Sequence, residues 1–330
     1  MSNICIINVY IGKLPDTYPL WLKSVKWNSS IDFLLVTDTE VGDVPANMRV
    51  EKMSLKDIKN LAEQELGMKI ALDLPVKLCD YKPVYGVIFS KYLKGYDYWG
   101  ACDLDLIFGD LQKFFTKYEL YKYDKFLHQG HLALYKNNST INSAYKLPGS
   151  YYSYKRVFTS NASFVFDEYN RINSIFYHNK LPIFDKTIFA NINPAFTKFK
   201  CCNLRNYKKQ LFYYDSGRVF RAFCDWNGKV QHQEFIYIHL LKRKLGTIPQ
   251  EIIDANIIAI TENGYFIIDR VPDIDIINEY TKDQDLKKEC VEALVNFRGR
   301  WMTVESLKTH ISLGVWKIDI LRNMLMKRKS

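Results

Sequence analysis

The chain has no apolar run long enough for a membrane-spanning helix. Such a helix needs roughly 18 or more consecutive apolar residues, and the 330 residues contain no run of that kind. The first residues, Met1-Ser2-Asn3-Ile4, lack the charged segment with which a secretory signal begins. These two absences predict a protein without a membrane span or a secretory signal, located in the cytoplasm.

Paired cysteines are also missing. The seven cysteines form no Cys-x-x-Cys pair, and their odd number does not fit a complete disulfide framework. Cys201 and Cys202 are adjacent, but no His–Cys spacing near them indicates zinc. This usage is typical of a protein in a reducing cytosol.

The sequence contains no glycine-rich phosphate loop, no internal repeat and no low-complexity tract. Its net charge of +10 allows nucleic acid, anionic lipid or phosphate-bearing substrates as partners. The basic residues do not gather into one arm or an RNA-binding motif, so we expect no nucleic-acid partner. A nucleotidyltransferase or phosphotransferase, and a basic nucleic-acid-binding protein, remain the alternatives.

The N-terminal part reads as strand, helix, strand. Residues 4–9 and 31–36 are apolar and β-branched, and residues 18–26 between them have a helical pattern. This order predicts a parallel sheet covered on both faces, hence an α/β fold. Ligands of such sheets bind beyond the carboxyl ends of the strands. Three residues fall at that edge: Tyr10, Gly12 and Asp38.

Helix signals follow further along the chain. Ser54 is placed as an N-cap with Asp57 at the third helical position, and Gly67 ends that helix. Residues 77–92 are predicted to form the next helical region, because apolar residues recur there with helical spacing. Lys77, Asp80 and Lys82 cluster at its start, and a helix N-terminus with nearby lysines favours an anion.

Two acids interrupt the segment Tyr96–Leu111 where its apolar run should be most buried. Asp103 and Asp105 are two apart, so on an extended strand their side chains point to one face. Two neighbouring carboxylates in an apolar setting repel each other and are costly to bury. A divalent cation such as Mg²⁺ or Mn²⁺ removes both problems, so the pair predicts a metal site.

This segment resembles the Asp-x-Asp motif of sugar-nucleotide-dependent glycosyltransferases of the GT-A type. Lys77-Leu78-Cys79-Asp80-Tyr81-Lys82-Pro83, followed by residues 99–111, resembles bacterial capsule and lipopolysaccharide glycosyltransferase-like proteins over roughly residues 3 to 270. The resemblance implies a GT-A, Rossmann-like mixed sheet flanked by helices. It also implies that the Asp-x-Asp metal bridges the donor diphosphate.

Further site residues follow from the same resemblance. It implies nucleoside contacts at Tyr10, Gly12 and Asp38, and donor diphosphate or sugar contacts at Lys77, Asp80 and Lys82. A late histidine completes the metal site in several GT-A families, which indicates His239, with Lys242 or Arg243 near the phosphates. Separately from the resemblance, His131, which lies between Gly130 and a predicted strand, is predicted to face the cleft and contact a donor or acceptor sugar. An acid in the region of Asp167 and Glu168 is implied to act as base or to bind sugar, with Asp185 as the weaker rival.

The C-terminal end is basic and amphipathic. Residues 313–329 carry Trp316 and five Lys or Arg residues beside an apolar stripe, which favours a membrane-surface element. We therefore divide the chain into a GT-A-like domain, residues 1–270, and a helical basic extension, residues 271–330. The hypothesis is a Mn²⁺- or Mg²⁺-dependent glycosyltransferase, peripheral on the inner face of the plasma membrane. It would move a hexose from a UDP-sugar to a lipid-linked surface glycan, by inversion or by retention.

Overall fold

The structure is a computed structural model that describes residues 2–168, 170–194, 196–241, 243 and 245–281. All elements named below belong to one unit, which spans Met1–Asn193 and Lys198–Asp283. Lys242 and residues 313–329, which carry two of the predictions above, lie outside the described residues.

Strands and helices alternate through the first half of the chain, and strands dominate the second half. The strands are β1 Ile4–Tyr10, β2 Asp32–Thr37, β3 Met48–Lys52, β4 Tyr98–Cys102, β5 Leu106–Phe108, β6 Lys125–Phe126, β7 Leu132–Lys136, β8 Ile183–Phe184, β9 Ala190–Asn191, β10 Gln210–Asp215, β11 Arg218–Cys224, β12 Val230–Phe235, β13 Tyr237–His239, β14 Ile257–Thr261 and β15 Gly264–Ile267. The α-helices are α1 Tyr18–Trp27, α2 Leu55–Leu66, α3 Leu78–Tyr81, α4 Tyr85–Ile88, α5 Leu111–Lys117, α6 Ser139–Asn142, α7 Tyr154–Phe158, α8 Ile172–His178, α9 Gln250–Asp254 and α10 Ile274–Tyr280. Short 3₁₀ turns cover Pro75–Lys77, Lys82–Val84, Ser90–Tyr92, Leu120–Lys122 and Ala144–Lys146.

The largest sheet confirms the predicted α/β class. Its order is β3-β2-β1-β4-β7-β6-β8, and the strands from β3 to β4 are parallel while β7 runs antiparallel to β4 and β6. Parallel strands buried on both faces account for the continuous apolar runs of β1 and β2. The carboxyl ends of β1, β2 and β4 therefore meet at one edge.

Side chains of β4 alternate between two packed layers. Tyr98 and Cys102 join a core with Trp21 of α1 and Phe115 of α5. Trp99 faces the other way, where its ring stacks on Tyr135 of β7 at 4.5 Å between centroids. A Cβ on Gly86 would lie 2.2 Å from Trp99 Nε1, so only glycine allows this segment to approach the sheet.

The helical region predicted over residues 77–92 is confirmed, but it is not one continuous helix. This stretch is a chain of short turns: Pro75–Lys77, α3, Lys82–Val84, α4 and Ser90–Tyr92. Pro83 has no N–H for a helical hydrogen bond and restricts the residue before it. The predicted apolar face still packs inward, because Tyr85, Ile88 and Phe89 are buried.

Two smaller sheets contain the remaining strands. The order β12-β11-β10-β14-β15 is antiparallel throughout, and Asn227-Gly228 and Asn263-Gly264 lie at the turns of its hairpins β11–β12 and β14–β15. The third sheet, β5-β13-β9, pairs β13 antiparallel to β5 and parallel to β9. It joins the loop after β4 to residues far along the chain.

Helix ends follow the sequence signals. Ser54 caps α2 by accepting a hydrogen bond from Asp57 N, and Asp57 Oδ2 accepts one from Ser54 N at 2.9 Å, so the capping box is confirmed. Asp273 caps α10, whose Ile276 and Ile277 pack against Leu211 of β10. Within the described part of the chain, no helix combines the length and apolarity that crossing a membrane requires.

Candidate metal and sugar-nucleotide site

The predicted metal residues converge just beyond the carboxyl end of β4. Asp103, Asp105 and His239 each offer one ligating atom, and these atoms all lie within 4.8 Å of one another. The acids flank a bend and not a strand, because β4 ends at Cys102 and β5 begins at Leu106. Leu104 between them is buried in the core, so both carboxylates turn away from it toward the same opening.

His239 reaches the acids through the third sheet. Its register partner in β5 is Leu106, and Leu240 N donates a hydrogen bond to the Asp105 carbonyl at 2.9 Å. Asn191, its partner in β9, places Oδ1 2.9 Å from His239 Nδ1. An amide oxygen only accepts, so Nδ1 carries the proton and Nε2 of a neutral ring carries the lone pair.

The donor set fits a divalent cation. His239 Nε2 lies 3.3 Å from Asp105 Oδ1, so in the neutral ring two acceptor atoms face each other. An octahedral ion with bonds of about 2.1 Å separates adjacent ligand atoms by roughly 3.0 Å and opposite ones by roughly 4.2 Å. Asp105 and His239 are buried, whereas the Asp103 side chain is 33% exposed. The cluster is therefore accessible to a ligand from the Asp103 side.

Lys82 connects the acids near this cluster. Its Nζ donates to Asp103 Oδ1 at 2.7 Å and to the Gly130 carbonyl at 2.8 Å, and it lies 3.3 Å from Asp167 Oδ2. Burial by itself lowers the pKa of this ammonium, but the carboxylates of Asp103 and Asp167 outweigh burial and hold the pKa well above its usual value. Lys82 therefore stays charged while it is almost completely buried.

Asp167 and Glu168 lie on the other side of Lys82. Burial raises the pKa of Asp167 to about 7, although Lys82 opposes the change. Asp167 Oδ1 is buried and has no hydrogen-bond partner among the described residues. Glu168 Oε1 accepts a hydrogen bond from Gly130 N at 3.2 Å. A Cβ on Gly130 would lie 2.1 Å from Asp167 Oδ2, so glycine is required for this approach.

His131 packs directly on His239. The two rings stack at 4.3 Å between centroids, and His131 Nδ1 lies 2.7 Å from the Tyr237 hydroxyl. Burial lowers the pKa of His131 well below its usual value, so the ring is neutral. Its Nε2 is buried and without a hydrogen-bond partner in the part of the chain that the structure describes. That nitrogen is therefore a buried polar atom whose hydrogen bond the described residues do not supply.

The three residues predicted at the sheet edge come together. Asp38 Oδ1 accepts a hydrogen bond from Gly12 N at 2.8 Å, and Gly12 has a φ of 98°, which favours glycine. Thr39 Oγ1 donates to the Gly12 carbonyl at 2.6 Å and so links the loops after β1 and β2. Tyr10 is the last residue of β1, two positions before Gly12, and burial, followed by the charge of Asp105, raises the pKa of its hydroxyl.

Lys77 and Asp80 are in the interior instead of at the opening. Their side chains are 1% and 0% exposed and form an ion pair of 2.7 Å. We therefore interpret them as structural, in contrast to the ligand contact that the sequence suggested. Asp185, the weaker rival for the catalytic acid, accepts a hydrogen bond from the Tyr177 hydroxyl at 2.8 Å and is exposed.

Two asparagines at this edge were not recognised from the sequence. Asn191 orients His239, but nothing local in Ala190-Asn191-Ile192 predicts its pairing with a histidine 48 positions later. Asn8 Nδ2 donates to the Cys102 carbonyl at 2.6 Å, which holds the end of β4 just before Asp103. A polar residue inside the apolar run of β1 was a usable signal for Asn8.

Solved structures of glycosyltransferases resemble parts of the chain. One is a galactosyltransferase, LgtC, in complex with donor and acceptor sugar analogues (9% identity, TM-score 0.32, 57% of this chain and 75% of that chain). Two others are structures of the glycosyltransferase GlyE from Streptococcus pneumoniae TIGR4. Their identities are 15% and 11%, their TM-scores are 0.26 and 0.28, and the match covers 44% and 56% of this chain and 38% and 46% of theirs. These scores are too low to carry an inference about activity.

No curated protein shows significant sequence similarity to the chain. A family model, by contrast, matches most of its length, residues 6–269. That range contains every described residue of the candidate site. The chain belongs to the family of unknown function DUF6625.

Proposed function

We propose that this protein is a metal-dependent glycosyltransferase that takes a hexose from a UDP-linked donor. The observation that carries the proposal is the cluster of Asp103, Asp105 and His239, with ligating atoms within 4.8 Å at the carboxyl edge of the sheet. Asp103 and Asp105 also form the Asp-x-Asp sequence that resembles the GT-A motif. Mn²⁺ or Mg²⁺ fits this oxygen and imidazole donor set.

Each part of the site has a task in such a transfer. The bound cation would neutralise the charge that develops on the departing diphosphate. Lys82, held charged beside Asp103, adds a fixed positive charge where that negative charge appears. Tyr10, Gly12 and Asp38 form the loop edge at which a nucleoside binds in sheets of this type. Lys242, outside the described residues, is proposed to reach the phosphates.

Asp167 is proposed to act on a sugar hydroxyl. Its Oδ1 is buried without a partner among the described residues, and its pKa of about 7 is that of an effective proton acceptor near neutral pH. In an inverting reaction it would take the proton of the acceptor hydroxyl. In a retaining reaction it would bind and orient a sugar. His131, whose buried Nε2 has no hydrogen-bond partner among the described residues, is proposed to contact donor or acceptor sugar from the side of His239.

A screen of nucleotide sugars by thermal unfolding tests the proposal. A ligand present at about 100 times its Kd stabilises the native state by about 2.7 kcal/mol. In this protein that amounts to several degrees in Tm. We expect a shift with a UDP-sugar only when Mn²⁺ or Mg²⁺ is present. A shift with nucleoside triphosphates alone would favour the alternative, a nucleotidyltransferase, and retention on DNA at moderate salt would favour nucleic-acid binding.

The acceptor is proposed to be a lipid-linked oligosaccharide or polysaccharide at the cytoplasmic face of the membrane. Support comes from the sequence, because residues 313–329 carry five Lys or Arg residues and Trp316. Basic residues near an anionic leaflet contribute about 1 kcal/mol each, and salt screens this attraction. Reversible docking is what such a segment provides.

Deleting residues 313–330 tests this part separately. We expect the shortened protein to transfer sugar to a small acceptor as before but more slowly to a lipid-linked one. The full chain should sediment with liposomes that contain anionic lipid, and less so as salt rises. Equal sedimentation with neutral and anionic liposomes, or none with either, would contradict the membrane proposal and leave the sugar-transfer proposal standing.

A further inference from the structure

The buried ion pair of Lys77 and Asp80 holds the segment that leads to Asp167. The Asp80 carboxylate accepts hydrogen bonds from Phe164 N at 2.9 Å and from Phe166 N at 2.7 Å. Asp80 is 0% exposed, and its remaining charge is met by the Lys77 ammonium. A side chain distant in sequence thus fixes the backbone immediately before the candidate catalytic acid.

Lys77 holds the other side of the same segment. Its Nζ donates to the carbonyls of Val157 and Ala162, both at 2.7 Å, in addition to its bond with Asp80. These three bonds use all three N–H groups of the ammonium. The ammonium also lies 4.9 Å from the centre of the Phe164 ring. Residues 157–166 are therefore tied to one buried pair at four backbone positions.

Val165, between the two bonded N–H groups, has an unusual backbone. Its φ is 52°, a left-handed conformation that β-branched residues rarely adopt. Its side chain is 49% exposed, so packing around that side chain does not explain the conformation. Backbone N–H groups on either side of such a residue converge on one anion, here the carboxylate of Asp80. The ion pair thus stabilises a turn that this sequence would otherwise avoid.

The same run of turns also carries the residue that binds the acids. Lys82, two positions after Asp80, donates to Asp103 and lies 3.3 Å from Asp167 Oδ2. Asp80 therefore sets the backbone of Phe164 and Phe166, while Lys82 sets the carboxylate that follows them. Both contacts come from the short stretch 77–82. The same segment of the chain therefore positions both Asp167 and Asp103.

We propose that Lys77 and Asp80 form a positioning clamp that holds Asp167 in register with the metal-binding acid Asp103. The clamp touches no substrate. It acts by keeping the turn at Val165 closed so that Asp167 approaches Gly130 and Lys82. Its effect on turnover rests on the proposed glycosyl transfer, whereas its effect on the backbone does not.

The test replaces both charges together, as Lys77→Met/Asp80→Leu, so that no lone charge remains buried. Hydrogen exchange of the amides of Phe164 and Phe166 is measured first, because it requires no activity. We expect both amides to lose protection in this variant. The matched control is the exposed ion pair changed as Asp269→Asn/Arg270→Met, which should leave them protected. Protection retained in the clamp variant would overturn the proposal.

Kinetics then separate positioning from general stability. We expect turnover of the UDP-sugar to fall by about 10²-fold, as for misplacement of a catalytic group by around 1 Å. Calorimetry should show the Mn²⁺–UDP affinity unchanged, because Asp103, Asp105 and His239 are intact. If the Mn²⁺–UDP affinity and the turnover fall together, the Lys77–Asp80 ion pair stabilises the whole fold, and the proposed positioning role is wrong. If the wild type neither binds Mn²⁺–UDP nor turns over, the proposed function fails, and hydrogen exchange still decides the clamp.

Val165→Pro gives a second route that leaves the ion pair in place. Proline fixes φ near −65° and therefore cannot adopt the positive φ of this turn. Because residue 165 is exposed, we expect the substitution to leave the rest of the protein folded. We expect the same loss of amide protection and of turnover. In the clamp variant, adding Val165→Gly should restore part of the turnover, because glycine adopts positive φ readily. A Val165→Pro variant with full turnover would overturn the proposal.

Discussion

Replacing Asp103 or Asp105 by alanine is expected to lower turnover of the UDP-sugar by about 10³-fold, since the metal supplies several kcal/mol and each 1.36 kcal/mol is a tenfold change. Each variant removes one of the three residues proposed to bind the metal. The protein should stay folded, because the core around Leu104 is retained and Lys82 keeps Asp167 as a partner. Turnover and Mn²⁺–UDP affinity are measured together with thermal unfolding.

Variants of His239 and of Asn191, which orients it, should weaken metal binding to different degrees. His239→Ala should weaken Mn²⁺ binding strongly, and Asn191→Ala should weaken it by about 10–100-fold, the usual effect of losing a residue that orients a ligand. Asn191 acts only by holding His239 Nδ1 as a donor, so its effect must be smaller and must vanish in the His239→Ala background.

His232→Ala is the matched control, because His232 is exposed and bonds only to Tyr213 among the described contacts. It should bind the metal as the wild type does. Full activity in both aspartate variants would contradict the proposed metal site. Wild-type Mn²⁺–UDP affinity in His239→Ala would show that His239 is a core residue and not a metal ligand.

Local patterns were enough for the first half of the sheet and for the acid pair. The apolar runs of β1 and β2 are buried on both faces, so burial is visible in composition alone. Asp103 and Asp105 stand out because charge is costly in such a run. Helical spacing also identified the helical region over residues 77–92, which is divided into short segments around Pro83 because proline lacks the N–H of a helical hydrogen bond.

The rest of the site depends on contacts that the order of residues does not show. His239 meets Asp105 through the pairing of β13 with β5, two strands about 130 positions apart. The lysines at positions 77 and 82 look alike in sequence, and each binds a carboxylate and backbone carbonyl oxygen. The partner of Lys77 is the fully buried Asp80, whereas Lys82 binds the partly exposed Asp103. The sequence shows that a side chain is charged. Whether that side chain stabilises the fold or faces a ligand depends on how deeply it is buried and on the residues that it contacts.

Asp167→Asn is expected to lower turnover by about 10²–10⁴-fold, the range for loss of a general base, with little change in Mn²⁺–UDP affinity. The amide keeps the size of the side chain but cannot accept a proton. Glu168→Gln should have the smaller effect, because the amide oxygen can still accept the hydrogen bond from Gly130 N that Glu168 Oε1 accepts. The pair of amide variants thus separates two adjacent acids by their contacts.

Two further measurements test the same assignment. Gly130→Ala introduces a Cβ 2.1 Å from Asp167 Oδ2, so it should displace Asp167 and imitate Asp167→Asn in turnover.

In the wild type, kcat/KM should rise with pH as Asp167 loses its proton. Burial sets that pKa at about 7, and the charge of a bound cation lowers it, so the rise should lie below pH 7 and disappear in Asp167→Asn. Full turnover in both amide variants would exclude Asp167 and Glu168 and leave Asp185 as the acid to change next, because a base that can be neutralised without loss is not carrying the proton.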